Sequence, residues 1–175
     1  MRLWAEERRQ GTIELFLTLP IPLWAAVLGK FLAAWLFLGL ALSLTFPMWV
    51  TVNILGQPDN GVILASYLAS FLMAGGYLAI GSCLSAATKN QVIAFVLTVT
   101  VAFIFTAGGA GFLTDLISEF VGKAVLDTIA DISILPHFNQ IVKGVIAFKD
   151  LVYFIALIAA WLLAAMAVID YKKAG

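Results

Sequence analysis

The sequence predicts an all-α fold, a polytopic membrane helix bundle with four transmembrane helices, an N-terminal cytoplasmic interfacial helix and two outer amphipathic helices. Three observations predict it. Hydrophobic residues make up 63% of the 175-residue chain and the mean hydropathy is +1.05, whereas a soluble domain is ~45–50% apolar. A globule of this length lacks the interior to hide so many apolar side chains, so hydrocarbon must solvate them. Four apolar stretches are each long enough for a ~30 Å hydrocarbon core, which takes ~20 helical residues. They fall at residues 31–55, 61–87, 91–113 and 150–170. The first three contain no Asp, Glu, Lys, Arg or His, and the fourth is charged only at Asp150 and Asp170. Finally, the connections between the first three stretches are too short to hold a separate domain, so residues 1–175 form a single transmembrane domain.

Residues 1–30 concentrate the polar side chains, in the run Glu6-Glu7-Arg8-Arg9-Gln10-Gly11-Thr12-Ile13-Glu14. Those acids, and the interruptions at Pro20, Pro22 and Lys30, argue against a secretory signal. Gly11 breaks one helix, Thr12 caps the next, and Glu14 sits in its first turn, where the macrodipole favours an acid. Pro20 and Pro22 end that short helix after Ile13, Leu15, Phe16, Leu17 and Leu19. The elbow presents both signs of charge and an apolar flank, a docking surface for a soluble partner; membrane anchoring alone is the competing reading.

The first span, 31–55, contains Pro47, which removes a backbone donor and predicts a kink that a neighbouring helix or water compensates. Gly56-Gln57-Pro58-Asp59-Asn60 forms an outer turn and leads into the second span, 61–87, where Gly75, Gly76 and Gly81 favour close helix packing over a hinge. Thr88-Lys89-Asn90 turns the chain inside. The third span, 91–113, carries Ala107-Gly108-Gly109-Ala110-Gly111, dense enough in small residues to break the helix. Residues 114–149 hold two amphipathic helices too short to span. Leu116, Ile117, Phe120, Val121, Ala124 and Val125 line the first, and after Leu135-Pro136 the second carries Phe138, Ile141, Val142, Val145 and Ile146. An interfacial or re-entrant outer cap is their predicted placement. The fourth span is 150–170.

Of ten basic residues, Arg2, Arg8, Arg9, Lys30, Lys89, Lys172 and Lys173 fall on one side of this topology and Lys123, Lys143 and Lys149 on the other. The positive-inside rule then places both termini in the cytoplasm. Ten acids balance ten bases, which offers no nucleic-acid partner a polycationic surface. Cys83 reads as a packing residue and His137 as a structural one, so no catalytic residue, metal site or cofactor is predicted.

Two segments resemble a known family, the permease subunits of type-2 ATP-binding-cassette (ABC) exporters, particularly the branch of gliding-motility and nitrous-oxide-reductase-maturation permeases. One is Arg2-Leu3-Trp4-Ala5-Glu6-Glu7-Arg8-Arg9-Gln10-Gly11-Thr12-Ile13-Glu14-Leu15, continuing through Leu19-Pro20 to Leu28-Gly29-Lys30-Phe31. The other runs from His137-Phe138-Asn139 through Lys143-Gly144-Val145-Ile146 to Lys149-Asp150-Leu151-Val152-Tyr153-Phe154. Gly81 to Gln91 is similar to the family's inner turn between two middle spans.

The resemblance implies that Glu6, Glu7, Arg8, Arg9, Gly11, Thr12 and Glu14 couple the chain to a cytoplasmic ABC ATPase subunit. It also implies that the outer helices close the far side of the pathway, that a second permease copy or a paralogue completes the transporter, and that the assembly sits in a prokaryotic inner membrane. Six spans are usual in the family, two of them ahead of the coupling segment; the expectation is therefore a truncated permease, with Met1 an internal residue read as a start.

Hydrolysis is assigned to the partner, because the chain has no Gly-x-x-x-x-Gly-Lys-Ser/Thr loop to cradle phosphates. Two other classes compete. An ion-coupled secondary transporter normally places ionisable groups at bilayer depth, and the four spans have none near their centres. A non-transporting scaffold, or a permease remnant, shares every feature above and is separated only by measuring flux.

Overall fold

The computed structural model describes residues 2–10, 22–110, 128 and 131–171. Among these the regular structure is helical throughout: α1 (Arg2–Gln10), α2 (Leu23–Ser43), α3 (Phe46–Leu55), α4 (Asn60–Ala87), α5 (Gln91–Ala107), α6 (Ile134–Val142) and α7 (Phe148–Tyr171). Three stretches are long and apolar enough to cross a membrane: Leu23–Leu55, Asn60–Ala87 and Phe148–Tyr171. The protein is thus a multi-pass membrane protein.

The expected second and last spans agree with α4 and α7 to within two residues. The first differs. It begins at Leu23 rather than 31, because Lys30 does not end the helix: its charge is taken up by Glu7 and the Trp4 ring while its stem continues the apolar surface. It is also divided, with α2 stopping at Ser43 and α3 starting at Phe46. Pro47 lies in the first turn of α3, where its missing N–H costs nothing. No compensation for the proline is therefore needed; at the break itself the Thr45 hydroxyl donates to Leu42 O at 2.6 Å and lies 2.7 Å from the Tyr67 hydroxyl of α4.

The expected span 91–113 is shorter in the structure. α5 ends at Ala107, where the small-residue cluster begins, and Gly108 to Ala110 turn away; residues 111–113 lie outside the described residues. Seventeen residues reach only about 26 Å, less than a ~30 Å hydrocarbon core.

Side-chain caps set two of the helix starts. Asp59 Oδ1 accepts from Gly61 N at 2.8 Å at the head of α4, and Asn90 Oδ1 accepts from Val92 N at 2.9 Å at the head of α5.

α4 is the central helix: it packs on α1, α2, α5, α6 and, most extensively, α7. Small residues make this approach possible. A Cβ on Gly75 would stand 2.8 Å from the Trp35 indole, and one on Gly76 3.1 Å from Leu157 Cδ2. Because Gly75 has no side chain, the Trp35 indole reaches past it and donates to the Phe71 carbonyl at 2.9 Å, stacking on the Phe71 ring at 4.5 Å.

Two apolar clusters mark the two ends. Trp4, Val27, Phe31, Cys83, Ala86, Leu162 and Ile169 pack together at the α1 end, and Ala65, Ala69, Leu72, Ile134, Ile141 and Phe154 at the far end, with Trp35 against both. α2 therefore runs from the α1 end to the far end, α4 returns, α5 goes out again and α7 comes back, so that α4 and α7 are parallel.

At the far end, α6 fills the space that short α5 leaves. The expected amphipathic helix is present but shorter. Its buried residues are Ile134, His137 and Ile141, while Val145 and Ile146 are exposed and lie beyond it. The reason is local: Gly144 takes φ +84°, a conformation that ends the helix. The other expected amphipathic helix, from Leu116 to Val125, lies outside the described residues.

Candidate functional site

α1 has nine residues, and an isolated helix shorter than ~12–15 residues is marginal in water. Its helicity must come from what it touches. The main anchor is Trp4, 1% exposed and set into the cluster formed by the ends of α2, α4 and α7. Its indole N–H donates to Ser82 Oγ at 3.2 Å. Ser85, one turn further along α4, accepts from the backbone N–H groups of Trp4 (3.2 Å) and Ala5 (3.0 Å).

The first N–H groups of a helix lack partners within it and are normally capped by a preceding side chain. Here the cap comes from across the bundle, so the start of α1 is pinned to α4.

A second anchor ties α1 to α2. Lys30 pairs with Glu7 and places its Nζ 4.0 Å from the centroid of the Trp4 ring. The cation thus binds one residue through charge and the other through the ring face. Glu6 accepts from Arg9 at 2.6 Å and from Gln10 Nε2 at 2.9 Å on the exposed side of the helix. Trp4 and Glu7, three apart, hold the bundle; Glu6, Arg9 and Gln10, three and four apart, turn outward together, as helical spacing requires.

The structure separates the seven residues singled out from the sequence into groups. Glu7 faces inward as an anchor, whereas Glu6 and Arg9 line the outward face. Gly11, Thr12 and Glu14 lie outside the described residues, as do the side chain of Arg8 and the short helix expected to follow Thr12. Sequence reasoning placed Trp4 and Lys30 in the segment that resembles the family's coupling motif without giving either a role, and missed Ser82 and Ser85. The serines cap a helix 80 residues away, which leaves no local signal.

Among the described residues no group of three or more His, Cys, Asp or Glu side chains is arranged to hold a metal ion. A short helix with a polar outer face is fixed to two long apolar helices, α2 and α4, at their ends.

No curated protein and no solved structure matches the chain. A family model described as ABC-2 family transporter protein matches residues 1–172, nearly the whole length. The chain therefore belongs to the ABC-2 transporter family and is a membrane permease of an ABC-type transporter.

Proposed function

We propose that the chain is the permease subunit of an ABC exporter in which α1 takes up the movement of a separate ATPase subunit and passes it to α2 and α4. The observation that carries this reading is the three-point fixation of α1 through Trp4, Ser85 and the Glu7–Lys30 pair. A helix docked loosely would fold and unfold under a push, whereas one fixed at three points moves the helices it grips. The outward face bearing Glu6, Arg9 and Gln10 is the docking surface, and Arg8, Gly11, Thr12 and Glu14 of the same sequence run are assigned to it from the family resemblance.

The distribution of basic residues supports a cytoplasmic placement of this end and of both termini. α5 acts as the fourth span, completed at the far end by α6. A second copy or a paralogue is the natural occupant of the apolar side of α2, where Leu36, Phe37, Leu40 and Leu44 are all exposed.

The test is capture of the tagged permease from native membranes, followed by measurement of the ATP-binding subunit that accompanies it. Reversing Glu6 and Arg9 to Lys and Glu should remove that subunit while the permease remains folded. Full retention by the reversed form would refute the docking assignment, and ion-driven flux by the permease alone would replace the reading with that of a secondary transporter.

A further inference from the structure

The far end holds two deeply buried ionisable side chains. Asp150 is 0% exposed and His137 4%. His137 Nδ1 lies 2.6 Å from Asp150 Oδ1, its Nε2 lies 3.1 Å from the Asp131 carbonyl, and its ring stacks on Tyr153 at 4.0 Å. Both ring nitrogens lie within hydrogen-bond distance of oxygen atoms, so the imidazole is held from both sides. The second carboxylate oxygen of Asp150 is buried without a hydrogen-bond partner, and orphaned acceptors of this kind are rare and costly.

These groups join α6 to α7, and the remaining polar contacts of the region also converge on the entry to α6. Ser133 Oγ donates to the Phe105 carbonyl at 2.6 Å, capping the end of α5, and the Tyr153 hydroxyl donates to the Ile132 carbonyl at 2.5 Å. A Cβ on Gly109 would stand 2.5 Å from Ser133 Oγ, so the fit at that edge leaves no spare room. At its other edge α6 ends in a turn at Lys143 and Gly144, the glycine at φ +84°, and residues 145–147 have no regular structure before α7 begins.

We propose that the buried His137–Asp150 pair is the latch that keeps α6 seated over the end of α5, and that it parts when the far end of the bundle opens. The transport-cycle part of this proposal rests on the permease reading above; the seating part does not. In the seated state one carboxylate oxygen is paired with the imidazole and the other is buried with no partner among the described residues. Release lets water reach both, so opening is offset by solvation of a group the closed state underserves. Lys149 and Asp131, 3.4 Å apart and exposed at the rim, add little to the latch because exposed pairs are screened.

The test uses cysteine accessibility in the purified permease–ATPase complex in nanodiscs. Ile141, buried on the α6 face against α4, is replaced by Cys in a Cys83→Ala background, and its reaction with a membrane-impermeant sulfonated maleimide is timed. In a parallel series native Cys83, buried at the α1 end, serves as the unfolding control. His137→Ala should raise labelling at position 141 roughly tenfold or more without nucleotide, as expected when a buried hydrogen-bonded pair is broken locally, while Cys83 stays unreactive. His137→Gln, which retains a donor towards Asp150, should restore slow labelling. ATP turnover should raise labelling of the unmutated latch in the same way.

Unchanged labelling at position 141 in His137→Ala overturns the proposal, as does equal exposure of Cys83, which would mean global unfolding. ATP turnover without faster labelling overturns the opening step. If no ATPase subunit accompanies the permease, the function reading fails, while the His137→Ala comparison still decides the latch.

Discussion

Replacing Ser85 with Ala removes the hydroxyl that takes both the Trp4 and Ala5 N–H groups at the start of α1. An unsatisfied buried donor costs about 1–3 kcal/mol, and loss of an N-cap costs about 0.5–2 kcal/mol. A value of about 2 kcal/mol for the shared cap reduces the docked-to-undocked ratio of α1 about 30-fold, since 1.4 kcal/mol is a factor of ten. The effect stays local, because the far-end cluster shares no residue with the cap. Hydrogen–deuterium exchange in nanodiscs reads it directly: amides of Trp4 to Gln10 should exchange roughly 30-fold faster, with α6 at the far end unchanged. Ser82→Ala, which removes only the indole contact at 3.2 Å, should give a smaller acceleration, about fivefold for about 1 kcal/mol. Unchanged protection of α1 in Ser85→Ala would show that the serine does not hold the helix and would refute the reasoning.

Other outcomes follow from the same contacts. Gly75→Leu should displace Trp35 and its bond to Phe71, lowering stability by at least about 1–3 kcal/mol in thermal unfolding. Gly76→Ala should cost less, because the atom it meets is the flexible end of Leu157. Tyr67→Phe removes the hydroxyl 2.7 Å from Thr45 and should lower stability by about 1 kcal/mol, concentrated in exchange at the α2–α3 break. Arg9→Ala should leave unfolding temperature nearly unchanged, because an exposed i,i+3 pair with Glu6 contributes about 0.3–0.5 kcal/mol. The same substitution should weaken retention of the ATPase subunit, which separates docking from folding.

Much of the bundle was legible because apolar length and turn chemistry are local signals. Asp59 and Asn90, in the two short turns, cap the helices that follow as those residue types do, and the glycines at 75 and 76 sit where two helices press together. The break in the third span falls at Ala107 and Gly108, where small residues give the helix no packing reason to continue. The first span was read too short because Lys30 counts as polar in sequence, and only the tertiary fold supplies Glu7 and Trp4 to absorb its charge. The outer helix was read too long because Val145 and Ile146 extend an apolar pattern that Gly144 terminates in space.

The site was half legible. The charge run marks α1 as a polar helix, but helical phase alone does not tell Glu7, which grips the bundle, from Glu6, which faces out. Ser82 and Ser85 were invisible for a different reason: capping from 80 residues away leaves no trace in local spacing. The pairing of His137 with Asp150 was missed likewise, the aspartate having been read only as the end of a span.

The central claim is that α1 relays movement into α2 and α4. The most direct measurement is amide exchange in the purified permease–ATPase complex, compared with and without ATP turnover. Protection should change together in α1, around Lys30 of α2 and from Ser82 to Ala87 of α4. A change confined to the ATPase subunit, or one in α1 that leaves both helix ends unaltered, would contradict it.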